Sequence, residues 1–294
     1  MSRRFGGLLL ASPPVLLVAL FIGVPVLNAI GFSLGFTGGL NTTVARIGLN
    51  TRSTTSWLPT LAAYRDVFAS PRFREDLGVT LIITLVVTLV VLAIAATLAL
   101  HMRLSPGPLS RLLPTLAVVP MFIPGVIGAW ACLSFWSADG FIGSVLTHLG
   151  VTPPQIGFTT PMVVIAQIWS SLPFAVLMLS SAVASVPQVL IDAARDSGAG
   201  VLRVIRTVIA PMTVVPTIIA ATFTAIGVVG SFTVPYLAGP NAPSMLGVTM
   251  TRTFQAYGKP QQAVVMAIVV FAIASLLGAV YVWANWRSAK EDEA

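Results

Sequence analysis

The sequence predicts an all-α membrane protein of six transmembrane helices with both termini in the cytoplasm. Three observations predict it. Hydrophobic residues make up 56% of the 294 and charged residues only 9%, against roughly 25% charged in a water-soluble domain. The apolar residues gather into six runs, each about the ~20 residues that cross a bilayer core or longer. The segments between them hold the charges and much of the turn-forming Pro, Gly and Ser. A soluble fold of this size could not cover its surface with so few charges.

Residues 1–7 carry Arg3 and Arg4 and precede the first span, 8–34. A secretory signal has the same charge order, but its apolar core is only ~7–15 residues. This run is longer and lacks a good small-x-small cleavage site, so it reads as a retained helix, bent or bounded by Pro13, Pro14 and Pro25. Residues 37–76 form the one long polar segment, with Arg46, Arg52, Arg65, Asp66, Arg72, Arg74, Glu75 and Asp76. The second span, 77–100, carries no charge. His101, Arg103 and Arg111 bracket the Pro- and Gly-containing loop 104–110. At a helix end beside Arg103, His101 reads as an interfacial polar cap rather than a ligand or proton carrier.

The third span, 112–136, is interrupted by Pro120 and Pro124, and the loop 139–160 has no Lys or Arg. The fourth span is 161–184, the fifth 207–236 and the sixth 261–286, with a polar loop 237–260 and a charged tail 287–294. Trp130, Trp136, Trp283 and Trp286 fit an interfacial aromatic belt. With the N-terminus inside, the cytoplasmic segments hold Arg3, Arg4, Arg103, Arg111, Arg195, Arg203, Arg206, Arg287 and Lys290, nine basic residues against seven outside. Five of those seven lie in the long first loop, where the positive-inside rule weighs least; elsewhere the ratio is nine to two.

The net charge of +7 is scattered between apolar runs, which argues for helix orientation rather than a nucleic-acid face. The single Cys132 excludes an intramolecular disulfide and a cysteine metal cluster and reads as a small buried apolar residue. No P-loop, G-x-S-x-G or H-E-x-x-H pattern occurs, and there are only two histidines, His101 and His148. No span holds Asp, Glu, Lys or Arg in its interior. Ion-coupled carriers need such groups to bind and release charge inside the membrane, so the energy source is expected outside this chain.

Between the fourth and fifth spans lies SVPQVLIDAARDSGAGVLRVIRTVIAP, residues 185–211. Ser185 and Gln188 have capping-box spacing, with Pro187 in the first turn. A short helix is predicted through Ala194 and stopped by Gly198 or Gly200, since glycine takes the left-handed C-cap without steric cost. A second short helix, 201–209, then runs into the fifth span at Pro211. Two small helices between spans make a compact polar knob.

Asp192-Ala193-Ala194, then three residues, Gly198, nine residues and Val208-x-Ala210-Pro211 resembles the EAA loop of permease subunits in binding-protein-dependent, type I ATP-binding-cassette (ABC) importers. That family's pattern is Glu-Ala-Ala, three residues, Gly, nine residues, Ile-x-Leu-Pro. This chain departs in Asp192, Val208 and Ala210, and has Ser197 where the family has Asp. AQIWSSLPF at 166–174 and YRDVFASPRFREDLGVTL at 64–81 are similar to the same family. The resemblance implies that the 185–206 loop docks on a cytoplasmic ATPase through Asp192, Ala193, Ala194, Arg195 and Gly198, with Pro211 ending the motif. It also implies a second six-helix permease subunit, two ATPase subunits and an extracytoplasmic solute-binding protein. ATP and Mg would be bound by the ATPases, so no cofactor is expected in this chain. The segment 230–247 looks like permeases for polyamines or aminophosphonates, with sugars as the alternative.

Uncharged polar groups on spanning helices face protein or a water-filled path, not lipid. The candidate path residues are Gln167, Trp169, Ser170 and Ser171 in the fourth span and Gly230, Ser231 and Thr233 in the fifth. For the fifth-span group, which also includes Gly227, close helix packing is the simpler reading.

Overall fold

The computed structural model describes residues 12–54, 57–105 and 107–291. The predicted N-terminal segment 1–7 with Arg3 and Arg4, residues 8–11 of the first span and residues 292–294 of the tail lie outside these. Among the described residues every regular element is helical, as the composition predicts.

Helix α1 (Ser12–Ser33) contains one π-helical turn, Ala19–Gly23. The predicted polar loop holds two short helices, α2 (Thr42–Ile47) and α3 (Ala62–Ala69). Helix α4 (Pro71–Leu104) starts six residues before the predicted second span and runs past its end. Hydropathy finds the part that meets hydrocarbon, whereas Pro71 starts the helix in the polar stretch before it.

The predicted third span is two helices. Helix α5 (Pro108–Val118) tightens into the 3-10 turn Val119–Phe122 and stops at Ile123, whose backbone is extended. The residue before a proline is pushed out of the helical region, and Pro124 then leads into α6 (Gly125–Trp136). Helices α7 (Phe141–His148), α8 (Thr160–Ala184) and α9 (Gln188–Asp196) follow.

The predicted fifth span 207–236 is also divided. Helix α10 (Val201–Met212) bends by 72° into α11 (Val214–Val229), and α12 (Thr233–Ala238) is separate. Pro211 has no N–H to continue the ladder, the preceding turn Ile205–Ile209 is π-helical, and Thr213 leaves the helix at the bend. Helices α13 (Leu246–Gln255) and α14 (Pro260–Glu291) complete the chain. Among the described residues five helical stretches are long and apolar enough to cross a membrane, six if α10–α11 is one span.

The chain forms two compact units, one of residues up to Arg74 with Thr249–Phe271, the other of Glu75–Val248 with the chain from Ala272. In the first, the buried Gln261 amide is the tie. Its Nε2 donates to Phe32 O and Arg52 O, both at 2.9 Å, and its Oε1 accepts from Arg52 N at 2.7 Å. Ser33 Oγ meets Tyr64 OH at 2.9 Å, and Arg52 pairs with Asp66 at 2.9 Å.

In the second unit α4 buries Ile83, Val87, Val91, Ala95 and Ala99, one residue every fourth position on a single helical face. Ala175, Val176, Leu179 and Val183 of α8 and Ala220 and Val228 of α11 belong to the same core. Ile82, Leu85 and Leu89 of α4 are exposed, which suits a helix whose outer face meets lipid. A smaller core joins α6, α8 and α12 through Ala129, Cys132, Met162, Ala166, Val234 and Ala238, so Cys132 is buried as a small apolar residue.

Candidate functional site

Two features of the second unit bear on function: a polar cleft beside α8 and α11, and the knob around α9. Gln167, Ser170, Ser171 and Phe174 lie at i, i+3, i+4 and i+7 along α8, hence on one helical face. They line a cleft of about 390 Å³ together with Phe223, Thr224 and Gly227 of α11, Ser231 beyond its end and Val234 of α12. Gln167 and Thr224 are only 3% and 4% exposed. Gln167 Nε2 and Thr224 Oγ1 are buried without a hydrogen-bond partner. Ser170 Oγ donates to Gln167 O at 3.1 Å. The rings of Phe174 and Phe223 stand 5.8 Å apart, and Tyr281 meets Phe223 edge-on at 5.8 Å.

Of the predicted path residues, Gln167, Ser170, Ser171 and Ser231 come together here. Trp169 does not: its ring packs on Gly128, where an added Cβ would lie 2.3 Å from it, beside the smaller core. Gly230 caps the C-terminus of α11 and Thr233 starts α12; neither lines the cleft. Sequence reasoning missed Phe174, Phe223 and Thr224. Phe174 was available from the helical spacing on α8, but pairing it with Phe223 requires knowing which face of α11 meets it.

A further missed residue is Asp76, which sequence reading places among the charges of the long loop. It is fully buried on α4, and its Oδ1 accepts from Ser244 N at 2.8 Å. One turn on, Thr80 Oγ1 accepts from Leu246 N at 2.9 Å and donates to Asp76 O at 2.6 Å. These bonds fix the backbone that enters α13. Gly247 then passes so close to Ser231 that a Cβ would lie 2.4 Å from Ser231 O. Asp76 and Thr80 thus hold the stretch that backs the cleft's rim.

The knob departs from the sequence expectation in its first turn. Ser185 still has helical dihedrals, so its Oγ bonds back to Ala182 O at 2.8 Å and finishes α8 rather than capping α9. Gln188 Nε2 donates instead to Asp192 Oδ1 at 2.8 Å. The stop is as predicted: Gly198 sits at φ +84°, with Gly198 N donating to Arg195 O at 2.8 Å and Ala199 N to Ala194 O at 3.0 Å. Of α9 only Ile191 is buried; Asp192, Ala193 and Arg195 are exposed, Ala194 half-buried, and Val189 is 76% exposed. Arg103, in the last turn of α4, donates from Nη2 to Val186 O at 2.7 Å and steadies the entry to α9. Pro211 lies at the far end of α10, beside the 72° bend.

Residues 89–289 match the family described as binding-protein-dependent transport system inner membrane component. The chain belongs to that family. As such it is an inner membrane component of a binding-protein-dependent transport system. It is 32% identical over 138 residues to the spermidine/putrescine transport system permease protein PotB of Escherichia coli, covering 46% of this chain and 50% of that protein. The match therefore spans about half the length of that relative. The sulfoquinovosyl glycerol transport system permease protein SmoG of Agrobacterium fabrum is 27% identical over 301 residues, covering 96% of this chain and 90% of that protein. A chain of a bacterial ABC transporter involved in the import of the acidic polysaccharide alginate superposes with a TM-score of 0.74 at 18% identity, covering 98% of this chain and 96% of that one. The permease thus shares the type I importer fold.

Proposed function

We propose that this permease forms half of the translocation path for a small polar solute, handed over by an extracytoplasmic binding protein. The other half comes from a second six-helix permease subunit. Two ATPase subunits, which bind ATP and Mg, drive it through the knob at 185–211, with Asp192, Ala193, Ala194, Arg195 and Gly198 at the contact. The observation that carries this reading is α9 itself. It is a short helix anchored by Ile191 and the Arg103–Val186 bond, yet it leaves Val189 and Leu190 exposed beside charged residues. Apolar side chains on such a tip suit a groove in a partner protein. The cleft lined by Gln167, Ser170, Ser171, Thr224 and Ser231 is read as this subunit's share of the path. A polyamine-like solute is favoured by the 230–247 segment; a sugar is the second reading, favoured by the longer match to the sulfoquinovosyl glycerol permease.

The test is a mild-detergent pull-down from the native membrane with mass spectrometry. A stoichiometric P-loop ATPase and a second six-span protein are expected. A chain that purifies alone from several detergents overturns the proposal.

A further inference from the structure

We infer that a phospholipid with an anionic headgroup seats in an apolar groove at the elbow between α10 and α11. The groove, about 420 Å³, lies against Ala96 and Leu100 of α4, Leu179 and Val183 of α8, and the elbow from Ile205 to Ile218. It follows from the bend. Pro211 breaks the hydrogen-bond ladder, the axis turns by 72°, and the two limbs cannot both stay packed along the same neighbours. The polar residues in its lining are Thr213 and Thr217, and both hydroxyls are engaged within their own helix. Thr213 Oγ1 donates to Ile209 O at 2.9 Å and Thr217 Oγ1 to Thr213 O at 2.7 Å. A polar solute finds no free donor there, whereas a hydrocarbon chain needs none. Ala210, where the EAA pattern has leucine, lines the groove, and its short side chain leaves that space open. Val214, also in the lining, is 49% exposed, so the groove opens outward.

The rim selects the charge of the occupant. Arg206 stands one turn before Ala210 on α10, and Arg203 lies three residues before Arg206 on the same side. Both are exposed, and among the described residues neither forms an ion pair, as Arg52 does with Asp66. Arg103, three residues past Leu100 on α4, is already engaged with Val186 O. Two exposed guanidinium groups at the end of an apolar groove match a phosphodiester, whose oxygens accept their N–H groups in pairs. Basic residues beside spanning helices favour anionic lipids for the same reason. Ala96 lies about two turns before the end of α4, and Leu179 more than one turn before the end of α8. The groove therefore runs inward from the membrane surface at which the knob stands, with the arginines at headgroup depth and the lining in hydrocarbon. An acyl chain held there fills the hollow of the elbow through which the knob joins the fifth span.

The experiment titrates the complex, purified in mild detergent, with dioleoylphosphatidylglycerol or dioleoylphosphatidylethanolamine and counts bound lipids by native mass spectrometry. The wild type is expected to bind phosphatidylglycerol about tenfold or more tighter than phosphatidylethanolamine. Arg203→Gln combined with Arg206→Gln is expected to lose that preference, about tenfold or more, the worth of two basic residues at an anionic headgroup. Phosphatidylethanolamine binding and ATPase co-purification should stay unchanged. Ala210→Leu is expected to weaken both lipids by filling the groove; if it fails to insert, the arginine pair carries the test. Equal affinities for the two lipids in the wild type, or a preference that survives the arginine changes, overturns the inference. Loss of the ATPase in the arginine variant assigns both residues to that contact and overturns their role here. In native membranes, Val214→Cys carrying a benzophenone cross-linker is expected to capture phospholipid. Capture of a second permease subunit instead shows that protein covers the groove, which also overturns the inference.

Discussion

The knob and the cleft are built on opposite principles. The knob is largely local: its helices lie within one short stretch, Ser185 to Met212, with α9 ended by a glycine at φ +84° and Arg103 tied to Val186 O from outside it. The cleft is non-local: its walls come from α8, α11 and α12, some fifty residues apart along the chain. Spacing along a sequence therefore reveals the first, while the second depends on which helical faces meet. The two also differ in what they present, exposed apolar side chains on the knob and uncharged polar side chains along the cleft.

Breaking either region separately is the strongest use of that contrast. Gly227 lines the cleft with nothing within 4 Å of an added Cβ, so Gly227→Leu fills the space without a clash at Cβ. Uptake is expected to fall steeply, with membrane level unchanged. Ala193→Glu places a charge on the exposed face of α9 and is expected to cost about 2–5 kcal/mol of ATPase association if that face is buried in the complex. Co-purification measures the loss.

Smaller effects sharpen the supports of the two regions. Asp76→Ala leaves Ser244 N without its acceptor, and a lost hydrogen bond to a charged group costs about 1.5–3 kcal/mol. The melting temperature in detergent should drop, and uptake with it, because the backing of Ser231 loosens. Gly128→Ala drives a methyl into the Trp169 ring and should destabilise by about 1–3 kcal/mol through overpacking, without touching the cleft's polar lining. At the knob, Ser185→Ala is expected to change stability by less than the ~1 kcal/mol typical of a lost N-cap, because its hydroxyl bonds to Ala182 O and caps nothing. A destabilisation as large as a full N-cap loss would instead argue for the capping box that the structure does not contain.

Much of the fold is legible in the sequence because a bilayer reduces it to apolar length and charge placement. The second, fourth and sixth spans lie within α4, α8 and α14 for that reason. The third and fifth spans are less legible: hydropathy continues through Pro124 and Thr213, while the backbone turns there. Asp76 escapes notice because a carboxylate beside an apolar run looks like a solvated flank, and only the folded chain brings Ser244 N to it. Trp169 misleads in the opposite way. It neighbours Gln167 and Ser170 in sequence but points to another face of α8, where Gly128 makes room for it.

The measurement that tests the account most directly compares Ala193→Glu and Gly227→Leu side by side, reading both uptake and ATPase co-purification from the same membranes. The account predicts that both lose uptake, but that only Ala193→Glu loses the ATPase. A Gly227→Leu permease that transports normally, or an Ala193→Glu permease that keeps its ATPase and its uptake, would contradict it.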